Sequence, residues 1–162
     1  MNTNETFTGM LSRNLEMMKM SLNDLSDADL LTRPVPGANH ANWQLGHLIS
    51  SEARMVAAAR GASPELPAGF ADRFKKDTAG SNEASAFPKK QDLLDAFAKV
   101  RAASIEWAKT LTAEQLDKDS PESIRAFCPK VGHMPGVLAE HTAMHLGQIQ
   151  VLRRKLGKPV LF

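Results

Sequence analysis

Met134-Pro-Gly-Val-Leu-Ala-Glu-His141-Thr-Ala-Met-His145-Leu-Gly-Gln148-Ile-Gln-Val-Leu152-Arg-Arg-Lys155-Leu-Gly157 reads as one helix from end to end. Pro135 is tolerable only in a first turn, where the missing N–H has no intrahelical partner anyway. Gly157 and then Pro159 end the coil, and Arg153, Arg154 and Lys155 collect at its negative dipole end. At roughly 100° per residue, Met134, Leu138, Gln148 and Leu152 fall within about 60° of the stripe that carries His141 and His145. The helix therefore has an apolar face that also bears two imidazoles.

Three earlier stretches show the same spacing. Over residues 4–25, Phe7, Leu11, Leu15, Met18, Leu22 and Leu25 form one stripe. Over 42–60, Leu45, Leu48, Ile49, Met55 and Val56 share a face, with Asn39 or Asn42 as a cap and Gly61 at the C-terminal stop. Over 89–111, Leu94, Phe97, Val100, Ala103, Trp107 and Leu111 are core candidates. Thr112 and Gln115 then match a capping box that opens a short turn. Strand signals are weak: there is no tyrosine, no long β-branched run and no Asn-Gly or Asp-Gly hairpin turn. Four amphipathic helices make the chain all-α, a four-helix bundle in a single domain over 1–162. Residues 62–88, punctuated by Pro64, Pro67, Gly69, Gly80 and Pro88, form a connection longer than is usual between helices. Phe70, Phe74 and Phe87 predict that it is pinned to the body, with a short helical piece over 69–76.

Composition narrows the function classes. The chain has 162 residues, 43% of them apolar, and its 20 basic against 18 acidic side chains leave +2. So small an excess points to no nucleic-acid partner and no anionic membrane surface. No run of about 18 apolar residues is present, which predicts no membrane span. The first residues have neither a basic start nor an apolar run, and Cys128 is the single cysteine, so a reducing, cytoplasmic setting is expected.

His141 and His145, four residues apart, lie one above the other on their helix and are placed to share one metal ion. Zinc sites open to substrate take about three nitrogen or carboxylate ligands from the protein. Thr142 follows His141, so the HExxH glutamate is missing and thermolysin-like peptidase chemistry is disfavoured. The third ligand has several candidates: His40, His47, His133 and Glu52. Periodicity puts His47 at the edge of its apolar face and Glu52 nearer the centre. A carboxylate there needs a metal, a cationic partner or a proton.

Asn42-Trp43-Gln44-Leu45-Gly46-His47-Leu48, with Glu52 after it, resembles the second-helix signature of the DinB-like (YfiT-like) metalloenzymes. His141-Thr-Ala-Met-His145-Leu-Gly-Gln148-Ile149, followed by Leu152 to Gly157, resembles the last-helix signature of the same family. The resemblance covers nearly the whole chain. It implies an antiparallel four-helix bundle with a long crossover between the second and third helices, which falls on 62–88. It also implies a divalent metal, zinc or nickel, on His47, His141 and His145, and a homodimer.

Relatives of this kind include transferases and isomerases that use a low-molecular-weight thiol, and others that resemble hydrolases. The expectation is therefore a metal-dependent enzyme on a small-molecule substrate, a thiol-dependent S-transferase first, a hydrolase second, and a non-enzymatic metal- or ligand-binding protein third. Glu52 and Gln148 are the expected catalytic side chains, Glu52 to orient a ligand imidazole or take a proton and Gln148 to contact bound ligand. Lys75, Lys76, Lys89, Lys90 and Arg125 are candidates for a positive mouth. Cys128 reads as a satisfied thiol rather than a nucleophile.

Overall fold

The computed structural model describes residues 2–62 and 64–162. Its long helices are α1 (Thr3–Leu22), α3 (Ala41–Arg60), α4 (Lys90–Thr110) and α7 (Met134–Lys155). The short ones are α2 (Asp27–Leu30), α5 (Ala113–Asp117) and α6 (Glu122–Arg125). Among the described residues there is no β-strand, only an isolated bridge between Asp119 and Lys130. No helix is long and apolar enough to cross a membrane.

Local chemistry sets the helix ends. Asn2 and Glu5 form a capping box on α1, Ser26 and Asp29 one on α2, and Thr112 and Gln115 one on α5. α3 is capped by His40, whose Nδ1 accepts from the Trp43 N–H at 3.0 Å. It stops at Gly61, whose φ of 82° favours glycine.

The expected four-helix bundle is what forms. α1 and α3 each pack against both α4 and α7. The antiparallel pairs are α1/α4 and α3/α7: Asn4 at the start of α1 donates to carbonyls of Lys109 and Leu111, and Gln44 early in α3 meets His145 late in α7. The other two pairs run parallel. Asn14, Ser21 and Asp24 bond to Ala139, Gln150 and Arg153 in turn, and Asn42 and Glu52 bond to Pro88 and Arg101. A parallel α3/α4 pair requires the chain to travel back along a helix of about 30 Å before α4 begins, and the crossover does this.

The described part of that crossover, 64–89, is held to the body. Phe70, Phe74 and Phe87 are buried, and three 3-10 turns (Ala71–Phe74, Lys76–Thr78, Ala84–Ala86) replace the single helical piece expected over 69–76. Arg33 donates to the carbonyls of Ala79 and Ser81 and to Asn82 Oδ1, and Trp43 Nε1 donates to Thr78 Oγ1. Gly46 lets the Phe74 ring lie directly on α3, because a Cβ there would run into that ring.

Candidate metal centre

The antiparallel α3/α7 pair brings His47, His141 and His145 together. One ring nitrogen from each lies within 4.8 Å of the others. His141 sits edge to face with both His47 and His145, the other two rings are tilted to each other, and the centroids are 5.0 to 5.7 Å apart. No other group of three metal-ligating side chains meets this way among the described residues.

Residues around the trio hold it in place. Trp43 stacks flat on His47, with centroids 5.0 Å apart and planes 6° from parallel. Gln44 is buried, and its Nε2 donates to the Asn39 carbonyl at 2.7 Å. That contact turns Oε1 toward His145 Nδ1, 2.9 Å away. Nδ1 must therefore carry the proton, and the lone pair of Nε2 is left for a metal.

The electrostatics favour unprotonated rings. Burial, then the neighbouring imidazoles, push His145 down to about 3. Burial, His47, Arg101 and Arg54 take His141 down to about 4. Burial and Arg54 lower His47 as well. At neutral pH the trio offers three neutral nitrogen donors, which fits a divalent ion of the zinc or nickel type.

Neither Glu52 nor Gln148, the expected catalytic side chains, hydrogen-bonds to the trio or lines the cavity beside it. Glu52 accepts from Arg101 Nη2 at 2.7 Å and Nε at 3.2 Å, and from Ser104 Oγ at 2.7 Å. Both side chains of the Glu52–Arg101 pair are buried. Of the possibilities open to this carboxylate, the cationic partner is the one realised. Arg101 Nη2 also donates to Thr142 Oγ1 at 2.8 Å, so the pair braces α7 beside His141. Gln148 is exposed and does not line the cavity over the trio. The buried residues of α7 centre on Leu138, Thr142 and Ile149, which puts the histidines at the margin of the buried face and Gln148 past it.

The remaining candidates lie elsewhere. His40 is fully buried rather than at the surface, and its Nε2 bonds to the Ser81 carbonyl. His133 is exposed and away from the trio. Cys128 is buried against Ser120 and the Lys130 carbonyl, and burial raises its pKa, as suits an inert thiol. The basic candidates for a positive mouth do not line this cavity. Lys75 pairs with Asp72, Lys89 with Asp27, Lys90 caps carbonyls at the end of α1, and Arg125 bonds to the Ser120 carbonyl. Neither these nor Lys76 lines the cavity. The basic group that does so is Arg54.

The trio opens into a cavity of about 370 Å³ through His47 and His141. Larger cavities occur, such as one of about 530 Å³ beside Trp107, but none includes a trio histidine.

The sequence pattern of the DinB superfamily matches residues 10–149. Among solved structures, the chain is similar to a conserved protein from Enterococcus faecalis, with TM-score 0.77 and 20% identity over 98% of this chain and 99% of that one. It is also similar to YfiT from Bacillus subtilis, described as a probable metal-dependent hydrolase with an unusual four-helix bundle topology. There the TM-score is 0.67, with 16% identity over 96% of this chain and 89% of that one. No curated protein matches the chain. At these identities the structural likeness establishes the fold.

Proposed function

The chain belongs to the DinB superfamily, and from that premise we propose that it is a divalent-metal-dependent enzyme acting on a small molecule. The observation that carries this reading is the meeting of three neutral imidazoles beside an open cavity. A divalent ion held there would act as a Lewis acid and lower the pKa of a thiol or a water molecule beside it. His47, His141 and His145 would hold the ion. Gln44 fixes the tautomer of His145, Trp43 the plane of His47, and the Glu52–Arg101–Thr142 network the position of α7.

The finer reading we favour is thiol-linked transfer. A free thiol ionises near pH 8.5, far below water, so it needs less help from a protein base. That suits a centre whose buried carboxylate is committed to Arg101. Cys128 is buried away from the cavity, so the thiol would come from a separate low-molecular-weight compound. Hydrolysis is the second reading. It is favoured by Glu140, an exposed carboxylate on the cavity wall next to His141, and by the description of YfiT.

Metal-loaded protein incubated with a low-molecular-weight thiol and a panel of electrophiles tests the choice. Enzyme-dependent loss of free thiol supports transfer. Ester or amide cleavage without thiol supports hydrolysis instead. Full metal loading with no turnover in either panel would overturn the enzymatic reading in favour of a binding protein.

A further inference from the structure

The cavity over the trio is chemically lopsided. On α3, His47, Ser51 and Arg54 follow one another at four- and three-residue steps and so share a face. On α7, Val137, Glu140 and Met144 line the cavity as well, and Phe127 joins them from the segment before that helix. Phe127 and Met144 are 47% and 62% exposed, large apolar groups left in water at the rim of a polar floor.

Arg54 is exposed, and it shares the lining of the cavity with His47 and His141. Arg33, Arg101 and Arg153 spend their guanidinium donors on carbonyls and carboxylates. Arg54, among the described residues, makes no hydrogen bond and no ion pair. It lies seven residues, about two helical turns, beyond His47 on the same face of α3. A planar fork of free N–H donors beside a metal-type centre matches a carboxylate in shape and charge. Glu140 faces the same space and also has no ion pair among the described residues. Its charge would repel a second negative group, so a phosphate dianion fits less well than a monocarboxylate.

We propose that this cavity takes a small monocarboxylate whose carboxylate is bound by Arg54, whose apolar part lies against Phe127 and Met144, and whose reacting group sits at the histidine trio. The inference rests on the metal-dependent reading of the trio and names the substrate class for it. Arg54 is then a specificity-determining residue, because it sorts ligands by a group distant from the reacting atom.

The test uses cobalt-loaded protein and two probes of similar length, 3-mercaptopropionate and 2-mercaptoethanol. Each can place a sulfur at the metal, and thiolate-to-cobalt absorption reports its binding. The carboxylate probe should bind about tenfold more tightly or better, as expected for a charge-assisted hydrogen-bonded pair. Arg54→Gln should erase that preference, and Glu140→Gln should strengthen binding of the carboxylate probe. Cobalt uptake by Arg54→Gln should be no weaker than wild type, since the change removes a positive charge near the ion. Equal affinities for the two probes, no binding of the carboxylate probe to loaded protein, or a preference that survives Arg54→Gln would overturn the inference alone. Failure of wild-type protein to take up cobalt would overturn the metal-dependent reading, and this inference with it.

Discussion

Gln44→Leu separates a histidine that is merely close to its neighbours from one that is oriented to bind a metal. The substitution keeps an apolar side chain of similar bulk but removes the Oε1 that accepts from His145 Nδ1 at 2.9 Å. His145 is only 9% exposed, so its Nδ1–H gains little water in exchange. Leaving such a donor unpaired costs about 1–3 kcal/mol of stability. The same loss frees the imidazole to rotate or to move its proton to Nε2, where it would block coordination. Partners of this kind are worth about 10–100-fold in metal affinity, which is about 1.4–2.8 kcal/mol. Gln44→Glu should behave differently. A carboxylate still accepts from Nδ1 but cannot donate to the Asn39 carbonyl, so it should keep metal affinity while lowering the melting temperature. Competition against a chromophoric chelator gives the affinities, and thermal melts of the apo proteins give the stabilities. If Gln44→Leu is destabilised but binds metal within about threefold of wild type, the orienting role assigned to Gln44 is wrong.

Other perturbations follow from the same structure. Arg101→Met strands the Glu52 carboxylate in the core and should cost about 3–5 kcal/mol in chemical denaturation, whereas Glu52→Leu combined with Arg101→Met should recover much of that; a cost below about 1 kcal/mol for the single change would contradict a buried pair. Gly46→Ala drives a methyl into the buried Phe74 ring and should cost about 1–3 kcal/mol, partly relieved by Phe74→Leu. Unchanged stability on adding that methyl would mean that Phe74 does not rest on α3. His40 should make stability depend on pH. Burial holds its folded pKa at about 4 against an ordinary value near 6.5, so the folded state favours the neutral ring. Its contribution is complete above pH 6.5 and is lost as pH falls from there through 4. His40→Asn, which retains an N-capping side chain, should flatten that part of the stability profile, and a profile as steep as wild type would contradict the assignment.

The long helices were legible because each carries an apolar stripe of helical period and clear punctuation, from Pro135 at one end to Gly157 at the other. The meeting of His141 with His145 follows from four-residue spacing on one helix, and that of His47 with them is implied by the resemblance of the Asn42–Leu48 segment. Gln148 misled because a spacing of 100° locates a face without locating its margin, and the histidines of α7 lie on that margin. The fate of Glu52 was hidden because its partner, Arg101, is 49 residues away on another helix and only packing brings them together. Gln44 was missed, although a signal was present: an amide flanked by Trp43 and Leu45, one turn before His47, on a helix start that is almost wholly buried. The parallel course of α3 and α4 could be anticipated only from the length of the connection, since periodicity carries no direction.

His47, His141 and His145 are proposed to hold one divalent ion jointly. Titration of chelator-stripped protein, made without a metal-affinity tag, with Zn²⁺ or Ni²⁺ at pH 7 tests it most directly when the three single His→Ala variants are run beside wild type. Saturation at one ion per wild-type chain is expected, with a strong loss of affinity in each variant. Wild-type uptake below about 0.1 ion per chain, or a His47→Ala variant that binds as wild type does, would contradict it.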